Sequence, residues 1–385
     1  MNIGIEGQRL FRKNKHGMDM VALELIKSLQ VLDKENQYYV FVKPDEDSSV
    51  LKETSNFKIV KIDSGPYPVW EQYALTRAAK KYNCDILHCT SNTAPLFGST
   101  PLITTVHDII YLERKSLKIL TSNATRYQKM GNMYRKLVVP YAVKKSKRVI
   151  TVSDFEIKQI SYFFGFSGNN KLRSIYNGVS EHFRVLKDET ELLEIKEKYG
   201  LPDKYIFFLG NTVPKKNTKG TLKAFSRFIA QTNSDYKLVI SDFSYDHLEK
   251  LLVAIGNQEL INHIVLTGYV VNTDLPAIYS QSSLFLYTSL RESFGLPMLE
   301  AMACGTPVIS SNTSSIPEVA GDAAHLVNPF EPQEIADGIV KVLNDEKYRK
   351  KLVSSGLERS KVFSWKNMAN QVLDLYKETY EEINA

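Results

Sequence analysis

Apolar and polar positions along the chain fall into two alternating periods. Short apolar runs, "NIGIEG", "YYVFVK", "FKIVKI", "DILHC", "LITTVHD" and "RVITVS", read as strands in the first half. Between them, "GMDMVALELIKSLQVL" repeats its apolar residues at three and four positions, which predicts a helix. Ser153 and Glu156 form an S-x-x-E capping box that opens a further helix at "DFEIKQI". A second series follows: "YIFFLG", a helix over about 219–230, "YKLVIS", a helix near 246–257, "HIVLTG", "SLFLYTS", "LPMLEAMAC", "PVISS" and "AAHLVNP". Strands alternating with helices predict parallel βαβ units.

The Asn-Gly turn in "IYNGVSEHF" and the charged stretch up to Gly200-Leu201-Pro202 separate the two series. The expected division is an α/β domain over 1–178, a second over 179–365, and a terminal helix over 366–385 that packs back on the first. Two parallel-sheet domains in tandem are expected to face a central cleft at the carboxyl ends of their strands, where open sheets bind ligands. A G-x-G-x-x-G fingerprint is missing after the first strand, where Gly4, Gly7 and Gly17 stand at other intervals. That argues against a dinucleotide cofactor.

The 385 residues are 43% apolar and 24% charged, an ordinary globular balance. No run reaches the roughly 18 apolar residues of a membrane span, and "MNIGIEGQRLFRK" does not read as a secretory leader. Cys84, Cys89 and Cys304 are too few for a disulfide framework and lack zinc spacing. A reducing, cytoplasmic setting is expected, with the cysteines as small buried residues. Charge is uneven: residues 1–180 carry a net +11 and residues 181–385 a net −5. The first half is therefore expected to face something anionic.

Chemistry concentrates in "RESFGLPMLEAMACGTPVISS", 291–311. Pro297 suits the first turn of a helix, and Gly305 with Pro307 suits its stop. Ser293, Phe294, Gly295 and Leu296 then form a strand-to-helix turn whose N–H groups attract phosphate. Glu292 and Glu300 flank that turn, and carboxylates accept hydrogen bonds from hydroxyls. A nucleoside diphosphate sugar, with hydroxyls on both sides of a diphosphate, fits this layout. A surface glutamate followed by an ordinary helix glutamate fits the spacing equally well. In "FFLGNTVPKKNTKGTLKAF", Lys215, Lys216 and Lys219 follow a strand end and could neutralise a diphosphate, or could simply form a solvated loop. "DED" at 45–47 reads as a charged loop rather than a metal-binding D-x-D.

Taken in order, "TVHDIIYL", "TVSDFEIKQI", "IYNGV", "LGNTVPKKN", "ESFGLPMLE", "ACGTPVISS" and "PEVAGDAA" resemble the family-four retaining glycosyltransferases of the GT-B fold, over nearly the whole chain. The resemblance implies a hexosyltransferase using a nucleotide sugar, with GDP-mannose favoured over a UDP-hexose. It requires no metal and no other cofactor. Glu292 would contact the donor sugar and Glu300 the ribose. The amides of Phe294, Gly295 and Leu296 would approach the sugar and the β-phosphate, and Lys216 would pair with the diphosphate. Gly17 would approach the phosphate from the first domain, and His107 would lie beside the reacting carbon. Asp242, Tyr269 and Val270 are placed around the base. The chain departs from many relatives at Asn211, where they carry Arg, and at Lys215, which cannot give Arg's two-pronged bond. A nucleotide-sugar 2-epimerase and a non-catalytic nucleotide-sugar-binding subunit are the alternatives.

No Asp or Glu occurs from Arg114 through Ser153. Arg126, Lys129, Arg135, Lys136, Lys144, Lys145, Lys147 and Arg148 lie in that span. Tyr127, Met130, Tyr134, Leu137 and Tyr141 repeat there at three and four residues. An amphipathic basic helix of this kind suits the inner face of an anionic membrane and a polyprenyl-diphosphate-linked or other glycan acceptor. The same stripe also suits a core-facing helix with a solvated basic back. No nucleic-acid recognition motif accompanies the charge, so a nucleic-acid partner is not expected.

Overall fold

The computed structural model describes residues 1–15, 17–113, 126–165 and 170–385, with backbone alone at 126–129. The chain gathers into two compact units, Met1–Gly178 with Trp365–Ala385, and Val179–Ser364.

The first unit is built on a parallel sheet of β1 (Asn2–Glu6), β2 (Gln37–Val42), β3 (Phe57–Lys61), β4 (Ile86–Cys89), β5 (Leu102–Val106), β6 (Arg148–Thr151) and β7 (Leu172–Ser174). Their order is β3-β2-β1-β4-β5-β6-β7. Strands β4 and β5 are buried at every position, as parallel strands covered on both faces must be. Helix α1 (Gly17–Leu32) buries Val21, Ala22, Leu25, Ile26 and Leu29, the stripe that its periodicity predicts. Helix α2 spans Arg126–Lys145. Helix α3 (Asp154–Phe164) starts where the Ser153 side chain accepts from the Glu156 N–H at 3.3 Å, and it stops at Gly165 with φ 70°. The cysteines are free and buried.

The second unit holds β8 (Tyr205–Leu209), β9 (Lys237–Ser241), β10 (Ile264–Gly268), β11 (Leu284–Tyr287), β12 (Val308–Ser311) and β13 (His325–Val327). Their order is β10-β9-β8-β11-β12-β13, all parallel. Ile206, Phe208, Leu238, Ile240, Leu286 and Ile309 pack one face against Leu222 and Phe225 of α4 (Thr218–Thr232). Two short helices, α5 (Leu296–Ala303) and α6 (Ile316–Ala320), follow β11 and β12.

The chain then returns to the first unit as α7 (Trp365–Asn384), which lies against α1 and buries Met368, Val372, Leu375 and Tyr376. The Tyr376 hydroxyl meets His88 Nδ1 at 2.6 Å, and the other ring nitrogen of His88 meets Thr105 Oγ1 at 2.8 Å. Burial, and then the nearby His107, lower His88 to about 3, so this imidazole is neutral.

In each sheet the chain runs outward from one central strand and then resumes on its other side. The reversals fall between β1 and β4 and between β8 and β11. Loops leaving these strands diverge there and open a crevice in each unit. Gly210 sets the geometry after β8. A Cβ there would stand 2.6 Å from Ile240 Cγ2 and 2.7 Å from the Ser241 carbonyl oxygen. We expect Gly210→Ala to cost about 2 kcal/mol by overpacking and to lower the melting temperature by roughly 5 °C. Calorimetry against the wild-type chain checks this.

Candidate functional site

Because the strands of the second unit are parallel, every loop that follows a strand emerges on one edge. Loops 210–217 and 288–295 flank the reversal between β8 and β11. Hydrogen bonds stitch them together. Asn217, in the left-handed region at φ 59°, donates through Nδ2 to the carbonyls of Thr288 at 3.0 Å and Pro329 at 2.8 Å. Gly220 makes room for it, since a Cβ there would lie 2.3 Å from Asn217 Oδ1. The Leu290 N–H donates to the Lys215 carbonyl at 2.7 Å. The loop after β12 fixes the other side: the Glu292 N–H donates to Ser314 Oγ at 3.0 Å, and Ser315 Oγ donates to the Glu292 carbonyl at 3.0 Å.

This bracing sets Glu292 beside Lys216. Its Oε1 accepts from Lys216 Nζ at 2.6 Å, and the same ammonium stands 5.5 Å from the centre of the Tyr287 ring. Glu292 is buried. Burial alone would raise its carboxyl, but the Lys216 and Lys215 ammoniums outweigh that and hold it below the usual carboxylate range. Glu292 is therefore charged, oriented and poor in water. Lys216 is engaged with Glu292 in the free protein rather than standing open for a phosphate.

The next residues make the turn. Gly295 adopts φ 108°, and a Cβ there would stand 2.9 Å from Ile316 Cδ1, so both backbone and space call for glycine. Helix α5 begins at Leu296, and Pro297 takes the position where no N–H is needed. Among the described residues, the Gly295 and Leu296 N–H groups have no acceptor. Glu300 follows one turn in, part-buried, and burial pushes its carboxyl up to about 8. It is mainly protonated at neutral pH, although a group that donates to it would favour its charged form. Loops after β9 and β10 also meet: the Asp242 N–H donates to the Gly268 carbonyl at 2.8 Å. Tyr269 is exposed and Val270 is buried.

In the first unit, the loops beyond β1, β4 and β5 converge on Glu6 and His107. The buried Glu6 accepts from the Gln8 N–H at 3.0 Å and from Thr90 Oγ1 at 3.0 Å. His107 is buried. Its N–H donates to Asn92 Oδ1 at 2.6 Å, and its Nε2 meets the Thr90 carbonyl at 2.9 Å. Burial lowers its pKa, against the Thr90 hydrogen bond and the Asp108 charge. A carbonyl only accepts, so Nε2 carries the proton and Nδ1 of the neutral ring offers a lone pair. Gly17 opens α1 on the surface, and a Cβ there would touch nothing within 4 Å.

The basic set is less uniform than its sequence suggests. The side chains of Arg126 and Lys129 lie outside the described residues. Arg148 sits in β6, not on the helix, and pairs with Glu382. Lys145 donates to the carbonyls of Leu96 at 3.0 Å and Gly98 at 3.1 Å. Arg135 stacks 6.0 Å from the Tyr111 ring centre, Lys136 is half-buried, and Lys144 and Lys147 are exposed. Tyr134 turns away from solvent and donates to Glu71. Glu71 is fully buried and also accepts from Tyr67 at 2.7 Å, Gln72 at 2.9 Å and Thr93. Sequence reasoning missed this network, and it missed Asn217, Ser314 and Ser315. The Ser-rich "SNTSS" after a strand was the available signal for the two serines.

The arrangement in the second unit offers amides, cations, an ionised carboxylate at Glu292 and a carboxyl at Glu300 that burial shifts upward, on one edge. The family described as "Glycosyltransferase Family 4" matches residues 16–183, and "Glycosyl transferases group 1" matches 192–359. O-antigen chain mannosyltransferase B of Escherichia coli is 34% identical over 61% of this chain and 62% of its own length. The serotype-specific mannosyltransferase WbdA of Escherichia coli is 34% identical over 54% of this chain and 26% of its own length. The chain thus spans about three fifths of the first of these relatives and a quarter of the second. Among solved structures, Anabaena HepE in complex with UDP-glucose superposes with a TM-score of 0.74 over 98% of this chain and all of its own, at 18% identity. That is a likeness of fold. With two matches that tile most of its length and two parallel-sheet units of this topology, the chain belongs to the group 1 glycosyltransferases of the GT-B fold.

Proposed function

We propose that this chain transfers a hexose from a nucleoside diphosphate sugar, with GDP-mannose the first donor to test, to a glycan or lipid-linked acceptor in surface polysaccharide synthesis. Transfer retains the anomeric configuration and needs no metal. The observation that carries this reading is the Glu292–Lys216 pair followed by the amides of Gly295 and Leu296, which have no acceptor among the described residues. The two mannosyltransferase relatives support the sugar class.

In this reading the amides and the Lys215 and Lys216 ammoniums receive the diphosphate. Glu292 accepts from hydroxyls of the sugar, and Glu300 from those of the ribose. As the bond between the sugar carbon and the phosphate oxygen breaks, negative charge grows on the diphosphate, where fixed donors already point. The acceptor hydroxyl attacks from the same face, and its proton passes to the departing phosphate oxygen. His107 contributes a hydrogen-bond acceptor for a sugar hydroxyl rather than a base, since its ring is neutral and held through Nε2. No helix of the described residues is long and apolar enough to cross a membrane. We place the work at the inner membrane surface.

A thermal-shift panel of nucleotide sugars, followed by product analysis with the stabilising donor, tests the reading. GDP-mannose should give the largest shift and a mannosylated product, undiminished by EDTA. Release of a free epimer without an acceptor would favour the epimerase alternative. Glu292→Gln should cut kcat by about a hundredfold or more, with nucleotide affinity changed less than about threefold. Ribose hydroxyls that donate to Glu300 would favour its carboxylate, so binding should release a proton below pH 8. Affinity for the nucleoside diphosphate should accordingly rise from pH 6 towards pH 9, and Glu300→Gln should flatten that rise. Calorimetric titrations at several pH values check both.

A further inference from the structure

Helix α2 buries Val138, Val139, Ala142 and Val143 against the unit and turns Tyr134 inward to Glu71. Its opposite face is apolar and uncovered among the described residues. Met130, Met133, Leu137 and Tyr141 are each between 60% and 66% exposed. Their spacing of three, four and four places them on one side of the helix, along about 16 Å of its length. A contiguous exposed apolar face of this size is uncommon on a protein that meets only water.

A second element extends the face. Lys145 donates to the carbonyls of Leu96 and Gly98, which ties the loop at 95–98 to the end of α2. Phe97, at the tip of that loop, is 73% exposed. Leu96, Phe97 and Tyr141 line an apolar hollow of about 510 Å³ bordered by Lys144 and Lys145. The face thus combines a helical stripe with an aromatic side chain supplied from a separate loop.

Charge decides what covers it. Between residues 126 and 147 there is no Asp or Glu. Lys136 and Lys144 flank the stripe and, among the described residues, meet no carboxylate. Long lysine stems lie along apolar surface and hold their ammonium at a polar boundary. Apolar residues in the middle, two aromatic rings and unpaired lysines at the rim match the boundary between acyl chains and anionic headgroups.

We propose that this face, Met130, Met133, Leu137 and Tyr141 of α2 with Phe97, docks the protein on an anionic lipid bilayer by shallow insertion of its apolar side chains. This deepens the proposed work at a membrane and rests on that reading. Of the cations that the sequence groups together, Lys136 and Lys144 serve the lipid surface. Lys145 and Arg148 hold the fold, through the 95–98 loop and Glu382.

Flotation of the full chain with vesicles of phosphatidylcholine, with and without about one third phosphatidylglycerol, tests this. Binding should need the anionic lipid. Leu137→Ser with Tyr141→Ser should weaken it by about tenfold or more. Phe97→Ser, which leaves the helix intact, should weaken it as well. Lys136→Gln with Lys144→Gln should weaken binding and reduce its salt dependence. Circular dichroism and nucleoside diphosphate binding in the same preparations should match wild type, so a failure here is distinguishable from a failure of the catalytic reading. Wild-type binding by the apolar variants would overturn the proposal. So would a wild-type chain that ignores the vesicles, or a dimer in sedimentation that Leu137→Ser dissolves.

Discussion

A carboxylate that stays ionised out of water needs a cation or several donors within reach, and Glu292 in the second unit takes the cation. Glu292 is buried at the reversal of the sheet, and Lys216 answers it at 2.6 Å. Desolvating the two charges costs several kcal/mol, repaid only when geometry and further hydrogen bonds hold the pair in place. Asn217 and Gly220, after β8, and Ser314 and Ser315, after β12, supply that geometry. Each loop leaves a parallel strand on the same edge, so strand order makes the pairing possible.

The consequence is a site in which charge is fixed before a ligand arrives. The carboxylate at 292 is ionised by its lysines, whereas the one at 300 is kept mainly neutral by its surroundings. Between them, the turn leaves the Gly295 and Leu296 amides without an acceptor among the described residues. Electrostatic stabilisation works through groups that need not reorganise during the reaction; in the proposed reading the backbone amides of the turn meet that condition, whereas Lys216 must shift from Glu292 to reach a phosphate. An anion placed on it would meet donors on one side and carboxylates only at its flanks.

Much of this was legible in the sequence. Pro297, Gly305 and the two glutamates located the strand, turn and helix because each residue type has a local reason to be there. The strands and major helices followed from periodicity, and the Ser153 cap sits where its box predicted. What escaped depends on contacts between distant segments. The stripe on α2 assigned Tyr134 to the same face as Leu137 and Tyr141, yet Tyr134 turns to Glu71, 63 residues away. Lys145 and Arg148 looked like free charge until the 95–98 loop and the last helix came alongside. Likewise, Lys216 read as a phosphate ligand, with nothing in its neighbours to indicate that it first serves Glu292.

The turn between Glu292 and Glu300 is where a pyrophosphate group is expected to settle. A crystal structure of the chain with GDP or UDP decides it most directly. The predicted result is a phosphate oxygen about 3 Å from the backbone nitrogens of Gly295 and Leu296, with the Lys216 ammonium drawn toward it. A nucleotide bound away from this turn, with the Glu292–Lys216 pair undisturbed, would contradict the account.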